Sequence, residues 1–573
     1  MVSGSLAQQA ADSVAPEFGK TRSNNALVKT KTHMIAAANP EAAKAGNMIL
    51  ERGGSAIDAM IATQLILGLV EPQSSGLGGG AFLVYHDAAT GRPTTFDGRE
   101  TAPQAATGDM FIGADGEPLQ FFDAVIGGLS VGTPGTVALL EDAHKRFGKL
   151  PWAELFAPAI ELAEQGFEVS RRLNASIIGS AESLFNNEVT RAYFFSEEGV
   201  PIFAGTKLKN QAYADSLKAI AKDGAKAFYF NGIAKDIVKT IQSGTPNPGR
   251  LALEDLASYQ VIERPPVCFD YRDHEICGMG PPSSGAITLG QIFGMLESHD
   301  LASLGPRNPE SWRLIGEASR LAFADRGRYM ADSDFVKMPK GLLDKNYLLD
   351  RQKLFGSPEQ EGQSLPAQEV QPGNPPTDHT YHLADDESIE LPSTSHFSIT
   401  DKEGNAVSMT TTIENGFGSR LMVGGFLLNN ELTDFSFRSE LGGVPIANRI
   451  EPGKRPRSSM APTIVYKEGK PWLLIGSPGG SRIIGYVAKT LIAIIDWNMD
   501  VQAAIDLPHL VNRFGTYDVE EGTDAESFAP ALAAMGYKVR STDLNSGLHA
   551  IMLTENGIEG GADPRREGVV LGR

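Results

Sequence analysis

Residues 395–413 are predicted to form a β-hairpin, and this feature constrains the fold most. Both arms are rich in Thr, Val, Ile and Phe, and the Asp-Lys-Glu-Gly-Asn segment 401–405 between them is typical of a turn. A turn centred in this segment pairs Thr394 with Thr412 across the hairpin. Because side chains alternate between the two faces of a strand, Glu414 shares a face with Thr412. All three side chains should therefore cluster on one surface, and a register shift of one residue would separate them.

The sequence before Thr394 has a different composition. Residues 356–393 contain eight acidic residues, six prolines and no Lys or Arg, which is typical of a flexible linker. If the chain is cut before Thr394, this residue carries a hydroxyl nucleophile and a free α-amino group. The amine has an ordinary pKa of about 7.7–8.0 and can act as a base near neutral pH. This arrangement defines an N-terminal nucleophile (Ntn) hydrolase. The hairpin alone does not require it, because Thr is a common strand residue and an ordinary hairpin would contain threonines as well.

A glycine-rich turn offers a site for negative charge. Residues 475–481, Ile-Gly-Ser-Pro-Gly-Gly-Ser, follow an apolar run and precede a predicted helix over 482–496. The backbone N–H groups of Gly479 and Gly480 would lie at the N-terminus of that helix, where they can stabilise a developing oxyanion. Such turns between strands and helices are common, so the motif taken alone is a weak indication.

Five further polar residues lie beside predicted strands or apolar runs, in positions suited to substrate binding. A solvated charge or a turn cap explains each of them when it is considered singly. They are Arg99 in Asp-Gly-Arg-Glu, the adjacent Ser458 and Ser459, and Glu431 and Asp434, which are three residues apart.

In combination these motifs resemble the γ-glutamyltransferases (glutathione hydrolases) over nearly the whole chain. The resemblance implies an α+β fold, a four-layer αββα Ntn-hydrolase sandwich in which two autoprocessed subunits form a single intertwined domain. The matching segments, in chain order, are 53–59, 74–82, 97–103, 130–135, 281–285, 394–417, 429–436, 455–463 and 477–482.

The resemblance also implies how the chain is divided and what its site residues do. Autocatalytic cleavage before Thr394 would give a large subunit, 1–393, with the linker at about 356–393, and a small catalytic subunit, 394–573, which stay associated. The implied catalytic residues are the nucleophile Thr394, its hydrogen-bonding partner Thr412, and the oxyanion-hole glycines Gly479 and Gly480. The implied substrate-binding residues are Arg99, Ser458 and Ser459 for the α-carboxylate, and Glu431 and Asp434, with Glu414 nearby, for the α-ammonium.

The implied reaction is cleavage of γ-glutamyl amides such as glutathione through a γ-glutamyl-threonine ester, which water or an amino-acid or dipeptide acceptor resolves. No metal or organic cofactor is expected. A glutaryl (cephalosporin) acylase of the same fold is the alternative, but its substrate has no α-amine and would leave Glu431 and Asp434 buried without a cation. A non-catalytic protein that binds γ-glutamyl compounds is a third interpretation.

Two features depart from the family pattern. Well-known members often have Asn at the position of Glu414, and a carboxylate there adds negative charge near the substrate amine. Residues 435–457 are shorter than the corresponding segment of members that carry a tyrosine-bearing lid, and they contain no tyrosine. An active site without a lid is open to water and to bulky acceptors, so the balance between transfer and hydrolysis stays open.

Composition excludes some partners. The net charge of −19 and the pI of about 5.1 argue against nucleic acid or an anionic membrane surface. The longest apolar stretch, 59–70, is shorter than a membrane span. Residues 1–20 lack the apolar core of a signal peptide. Members of the family are usually exported, and the resemblance therefore implies a periplasmic or extracellular location. Cys268 and Cys277 flank a predicted hairpin, and the sequence leaves their redox state open.

The first prediction is autoprocessing. The purified protein should run as two fragments, and N-terminal sequencing of the smaller one should begin Thr-Ser-His-Phe. Thr394→Ala removes the hydroxyl nucleophile, so this variant should remain one chain and lose activity. An active enzyme that stays intact would exclude Thr394 as the nucleophile.

Overall fold

The computed structural model describes residues 23, 25–355, 370–386, 388–391 and 393–573. Within them, two antiparallel seven-stranded sheets form the centre of the molecule. Their strands in chain order are β1 (Val28–Thr30), β2 (Met34–Ala37), β3 (Gly80–Asp87), β4 (Arg92–Gly98), β5 (Ile262–Arg264), β6 (Val267–Tyr271), β7 (His274–Gly278), β8 (Thr394–Thr400), β9 (Ala406–Thr412), β10 (Thr463–Lys467), β11 (Lys470–Gly476), β12 (His549–Thr554), β13 (Gly557–Ala562) and β14 (Val569–Gly572).

The first sheet has the spatial order β1-β13-β12-β11-β10-β7-β6, and the second has the order β14-β2-β8-β9-β3-β4-β5. Short strands outside the two sheets are Phe167–Glu168, Lys207–Leu208, Met422–Val423, Phe426–Leu427, Glu440–Leu441, Val444–Pro445, Leu510–Asn512, Thr516–Glu520 and Lys538–Thr542.

The helices cover the outer faces of the sheets and fill most of the region 121–352. The α-helices are Pro40–Glu51, Ala56–Val70, Phe121–Val125, Thr136–Phe147, Ala157–Gln165, Arg171–Gly179, Ala181–Phe185, Glu188–Phe194, Gln211–Asp223, Lys226–Tyr229, Gly232–Gln242, Leu253–Ser258, Gly285–Leu296, Leu301–Leu304, Pro309–Tyr329, Lys345–Gln352, Ile483–Ile495, Val501–Asp506 and Ala529–Ala534. Single 3-10 turns are Trp152–Phe156, Lys340–Leu343, Glu431–Asp434, Gly480–Arg482 and Asp524–Phe528.

Neighbouring residues of β2 and of β3 point to opposite faces of the second sheet, and each face packs against a different apolar layer. Ile35 and Leu83 point outward into an apolar cluster that includes the helix Ala56–Val70. Their neighbours Met34 and Phe82 point inward and belong to the cluster that contains the first sheet and its own helices. Apolar packing on both sides of each sheet gives four layers. The αββα sandwich predicted from the sequence is confirmed.

Local sequence signals explain the helices of the outer layer. Asn39 caps the first helix by accepting a hydrogen bond from the Glu41 N–H at 2.9 Å, and Pro40 occupies its first turn. Ser55 and Asp58 form a reciprocal capping box at the start of the next helix, Ala56–Val70, in which every residue is buried. The second helix is buried because it is apolar on most of its surface.

The hairpin β8–β9 lies in the middle of the second sheet. Thr394 pairs with Thr412, so the predicted register is confirmed. Strand β8 also pairs with β2, and β9 with β3. The hairpin is therefore flanked on both sides by strands that precede it in the chain by some three hundred residues or more, and the two predicted subunits interleave within one sheet.

Two further features bear on the cellular location of the protein. Cys268 and Cys277, opposite each other in the β6–β7 hairpin, form a disulfide. None of the helices in the described part of the chain combines the length and apolarity needed to cross a bilayer.

The inward face of the hairpin is polar beneath Thr394. His396 Nδ1 is 2.9 Å from Thr410 Oγ1, and its Nε2 is 3.2 Å from Ser398 Oγ. Burial lowers the pKa of His396 well below its ordinary value, so the ring is neutral. Gly476 of the opposite sheet faces this ring, and a Cβ atom added there would overlap the imidazole.

The second prediction follows from this contact. Gly476→Ala should destabilise the protein by about 1–3 kcal/mol, because the added methyl forces His396 out of its buried site between the sheets. Thermal unfolding measures the effect. The matched control is Gly232→Ala, at an exposed helix start where an added Cβ meets no atom within 4 Å. Equal unfolding midpoints for the two variants would contradict the proposed packing.

Candidate active site

A cleft of about 260 Å³ opens at the start of the hairpin. Nine of the ten predicted site residues line it, and the tenth, Gly479, directly precedes one of them. The lining residues are Arg99, Glu390, Leu391, Thr394, Thr412, Glu414, Glu431, Asp434, Ser458, Ser459, Met460, Gly480 and Ile483.

The hydroxyl of Thr394 lies beside the peptide bond that precedes it. Thr412 Oγ1 donates a hydrogen bond to the Ser393 carbonyl oxygen at 3.0 Å and is 3.3 Å from Thr394 Oγ1. A hydroxyl has one proton, so Thr394 is the donor in the threonine pair. The Glu414 N–H in turn donates to Thr412 Oγ1 at 2.9 Å. Thr412 therefore holds the carbonyl of the Ser393–Thr394 bond close to the candidate nucleophile.

Buried polar contacts fix the backbone around Thr394. Arg566 Nη1 donates to the Thr394 carbonyl at 2.9 Å. The next side chain, Ser395, donates to Glu71 Oε2 at 2.8 Å, and Glu71 forms a salt bridge of 3.1 Å with Arg172. A nucleophile held in this way needs little reorganisation before it reacts.

The glycine-rich turn lies against the segment that precedes Thr394. Gly479 and Gly480 have φ values of 136° and 56°, a region that favours glycine. A Cβ on Gly480 would be 2.8 Å from the carbonyl carbon of Leu391. Gly480 thus lies beside the predicted cleavage site, while Gly479 packs against the ring of Tyr486.

The predicted carboxylate-binding and ammonium-binding residues contact each other directly. Arg99 directly follows strand β4, and Glu431 and Asp434 project from one helical turn, Glu431–Asp434. The Arg99 guanidinium donates from Nη1 to Glu431 and from Nη2 to Asp434. It also donates to the backbone carbonyl of Arg457 at 3.0 Å, which fixes its plane.

Negative charge exceeds positive charge around Arg99. Glu100 is also buried here, 4.0 Å from Arg99 Nη1, so three carboxyl groups surround one guanidinium, and Glu414 lines the same cleft. Burial raises the pKa of Glu431, raises those of Asp434 and Glu100 well above their usual range, and with the nearby charge of Glu431 raises that of Glu414 to about 8. Glu431 Oε2 and Asp434 Oδ1 are buried and have no hydrogen-bond partner among the described residues. Such a site favours a ligand that brings a cation.

The predicted serines differ in their contacts. Ser458 Oγ accepts from the Met460 N–H at 3.1 Å. Ser459 Oγ donates to Glu390 Oε2 at 2.5 Å and accepts from Arg326 Nη2 at 2.7 Å. Arg326 also donates to Glu390 Oε1.

Sequence reasoning missed Arg326 and Glu390. Glu390 falls within the predicted linker, and Arg326 was not among the predicted site residues. One signal could have identified Arg326: positions 322, 323, 329 and 330, on its face of the helix, are all apolar. An arginine on a buried face requires a partner.

The predicted linker falls partly within the described residues. Positions 356–369, 387 and 392 of the predicted linker lie outside them. Residues 370–386 and 388–391 contain no helix or strand beyond one bridge at Ala384. Glu390, Leu391 and Ser393 are buried at the cleft, so the end of this segment is packed.

The short segment 435–457 borders a second cavity. Phe437 stacks on Phe111 with ring centroids 4.7 Å apart, and the chain then turns through a small hairpin, Glu440–Leu441 and Val444–Pro445. The cavity, of about 760 Å³, is mostly apolar and is also lined by Ser388 and Ile389. The next two residues in the chain, Glu390 and Leu391, line the cleft, so the cavity and the cleft are neighbours along this segment.

Comparisons with known proteins agree with this geometry. The sequence profile of the family described as Gamma-glutamyltranspeptidase matches residues 42–573. The glutathione hydrolase proenzyme of Bacillus subtilis (strain 168) is 36% identical over 559 residues, 95% of this chain and 92% of that protein. The acylase ACY 1 proenzyme of Pseudomonas sp. (strain SE83) is 34% identical over 538 residues, 92% of this chain and 91% of that protein. The crystal structure of cephalosporin acylase from Bacillus halodurans shares the Ntn-hydrolase fold, with a TM-score of 0.83 at 24% identity over 97% of this chain and 98% of that one.

The third prediction concerns pH and Glu414. Because its pKa is raised from 4.5 to about 8, the folded protein binds this proton more tightly than the unfolded chain. Stability is therefore lost as pH rises between these values. In a Thr394→Ala background, Glu414→Gln should raise Tm clearly at about pH 9 and little at about pH 5, because the amide stays neutral. The control is Glu440→Gln, at an exposed carboxylate. A Tm difference independent of pH would contradict a raised pKa.

Proposed function

The chain belongs to the γ-glutamyltranspeptidase family, and we propose that it cleaves γ-glutamyl amides, including glutathione, and transfers the γ-glutamyl group to water or to amino-acid or dipeptide acceptors. The observation that carries this choice of substrate is the excess of buried carboxylates around Arg99. A γ-glutamyl donor brings an α-ammonium group, which compensates that charge and can donate to Glu431 and Asp434.

The proposed mechanism uses the groups that line the cleft. After cleavage before Thr394, the α-amino group of this residue accepts the proton of its hydroxyl as Oγ1 attacks the γ-carbonyl carbon. The backbone N–H groups of Gly479 and Gly480 stabilise the oxyanion. The leaving amine takes up the proton and departs, cysteinylglycine when the donor is glutathione. Water or an acceptor amine then attacks the Thr394 ester and releases glutamate or a new γ-glutamyl amide.

We also propose that the chain is a precursor, cut between Ser393 and Thr394 into subunits 1–393 and 394–573. The contact between Thr412 and the Ser393 carbonyl supports this, because it polarises the carbonyl that the Thr394 hydroxyl would attack. The names of the two relatives, which include the word proenzyme, are consistent with it. Interleaved strands in one sheet would keep the two subunits together.

A glutaryl-specific acylase is the second candidate. The apolar cavity beside the cleft favours it, because a bulky β-lactam leaving group needs such a space. A relative at 34% identity is named as an acylase. The three carboxyl groups around Arg99 argue against it, because a glutaryl group carries no cation to compensate them.

We propose a periplasmic or extracellular location. The disulfide between Cys268 and Cys277 supports it, because disulfides persist in oxidising compartments.

The fourth prediction separates the two candidates through Asp434. Asp434→Asn removes the charge proposed to pair with the donor ammonium while nearly preserving shape. A charge-assisted hydrogen bond is worth about 1.5–3 kcal/mol, so kcat/KM for γ-glutamyl anilide should fall roughly ten- to a hundredfold. Glutaryl anilide lacks the amine, and its turnover should stay unchanged or improve.

The quantity to measure is the ratio of kcat/KM for the two anilides in wild type and variant, with and without glycylglycine as acceptor. If wild type already prefers the glutaryl compound, or if the variant leaves the ratio unchanged, the acylase assignment replaces the γ-glutamyl one.

A further inference from the structure

We propose that Arg326 and Ser459 form an exchangeable carboxylate site: Glu390 of the chain itself binds there before processing, and the donor α-carboxylate takes its place afterwards. The inference rests on the proposed γ-glutamyl function. It adds Arg326 to the substrate-binding residues and gives Glu390 the role of an internal substrate mimic.

Arg326 and Ser459 hold one carboxylate between them. Arg326 Nη2 donates to Glu390 Oε1, and Ser459 Oγ donates to Oε2 at 2.5 Å. The same Arg326 nitrogen is 2.7 Å from Ser459 Oγ, so both donors converge on one point. This point lies in the cleft, because Glu390 and Ser459 both line it together with Thr394.

The site is rigid and strongly selects an anion. Arg326 is 3% exposed, and its Nε donates to Ser284 Oγ at 2.8 Å, which orients the guanidinium. Among the described residues, Glu390 is the only carboxylate within 4 Å of an Arg326 nitrogen. The neighbouring Arg457 is 3.6 Å from Glu390 Oε1 but has a closer carboxylate of its own, Asp386, at 2.7 Å. Loss of Glu390 would therefore leave Arg326 buried without a counter-ion, which is unfavourable unless another carboxylate replaces it.

The position of Glu390 in the chain explains why the exchange would depend on cleavage. Glu390 lies four residues before Thr394, on the segment that ends at the predicted cut. In the uncut chain, Ser393 is joined to strand β8, which keeps Glu390 inside the cleft. Cleavage frees the end of this segment, so Glu390 can leave while a substrate carboxylate enters, and the number of buried charges stays the same.

Glu390 is accordingly a positioning residue before cleavage. Its contact with Arg326 anchors the segment that carries the Ser393 carbonyl, while Thr412 binds that carbonyl directly. Removing the anchor should slow autoprocessing.

The first experiment measures binding to the uncut protein. Thr394→Ala should bind L-glutamate and glutarate weakly, because Glu390 occupies the carboxylate site. Adding Glu390→Gln removes the competing charge, and calorimetry should show affinity for both ligands higher by about tenfold or more. Asp385→Asn in the same background is the matched control, because this half-buried residue of the same segment pairs with Arg328 outside the cleft. It should leave both affinities unchanged.

The second experiment uses the processed enzyme. Arg326→Lys should raise KM for γ-glutamyl anilide by about tenfold, with a smaller effect on kcat, since Lys lacks the planar fork. KM for 4-aminobutyryl anilide, which has no α-carboxylate, should not change. Glu390→Gln should process more slowly than wild type, because the segment before the cut loses its charged contact with Arg326. A merely structural role of Arg326 would affect both anilides alike.

The outcomes separate the two proposals. If wild type does not turn over γ-glutamyl anilide, the proposed function fails, while glutarate binding to the uncut variants still decides the carboxylate site. If wild type turns it over but Glu390→Gln does not raise affinity in the uncut protein, the exchange is refuted. Equal effects of Arg326→Lys on the two anilides would refute the role of Arg326.

Discussion

The pairing of β8 with β9 is the constraint on which the rest of the structure depends. It sets Thr394 opposite Thr412. It thereby fixes the positions of the two hydroxyl groups relative to the Ser393 carbonyl. Because the hairpin occupies the centre of a seven-stranded sheet, hydrogen-bonded on both sides by β2 and β3, its register cannot shift without disrupting two further strand pairs. The candidate nucleophile therefore lies on a rigid element, and the binding residues come from loops around it.

Charge compensation is the second principle of the site. Arg99 is surrounded by more carboxyl groups than it can neutralise, whereas Arg326 and Arg457 each have a carboxylate partner from the segment before Thr394. Burial makes the excess of carboxyl groups around Arg99 unfavourable, and it would make the loss of the carboxylate beside Arg326 unfavourable as well. The excess of carboxyl groups around Arg99, and Arg326 with its proposed exchangeable counter-ion, match the two charges of an α-amino acid. A γ-glutamyl group carries that pair, and a glutaryl group carries only the carboxylate.

The segment before Thr394 links these two principles. Its composition is typical of a linker, yet its last residues are buried, with Glu390 and Leu391 in the cleft and Ser393 bonded to Thr412. Burial of this kind is expected for a segment that must present one peptide bond to one hydroxyl. Under the proposed cleavage before Thr394, the same groups would serve the chain before the cut and the substrate after it.

The sequence by itself determined the hairpin and its register, because both depend on local patterns, namely alternation along strands and turn residues. The resemblance of its motifs to a known family indicated nine of the residues that line the cleft. Only the tertiary structure decided which charges meet. Arg326 and Glu390 are 64 positions apart in the chain, and their contact with Ser459 spans a further 69. Local composition gave no indication of that contact. The residues around Glu390 are typical of a linker, and those around Arg326 are typical of a helix, and neither pattern identifies a partner. A salt bridge between distant segments depends on how the layers pack, and packing is a property of the whole chain.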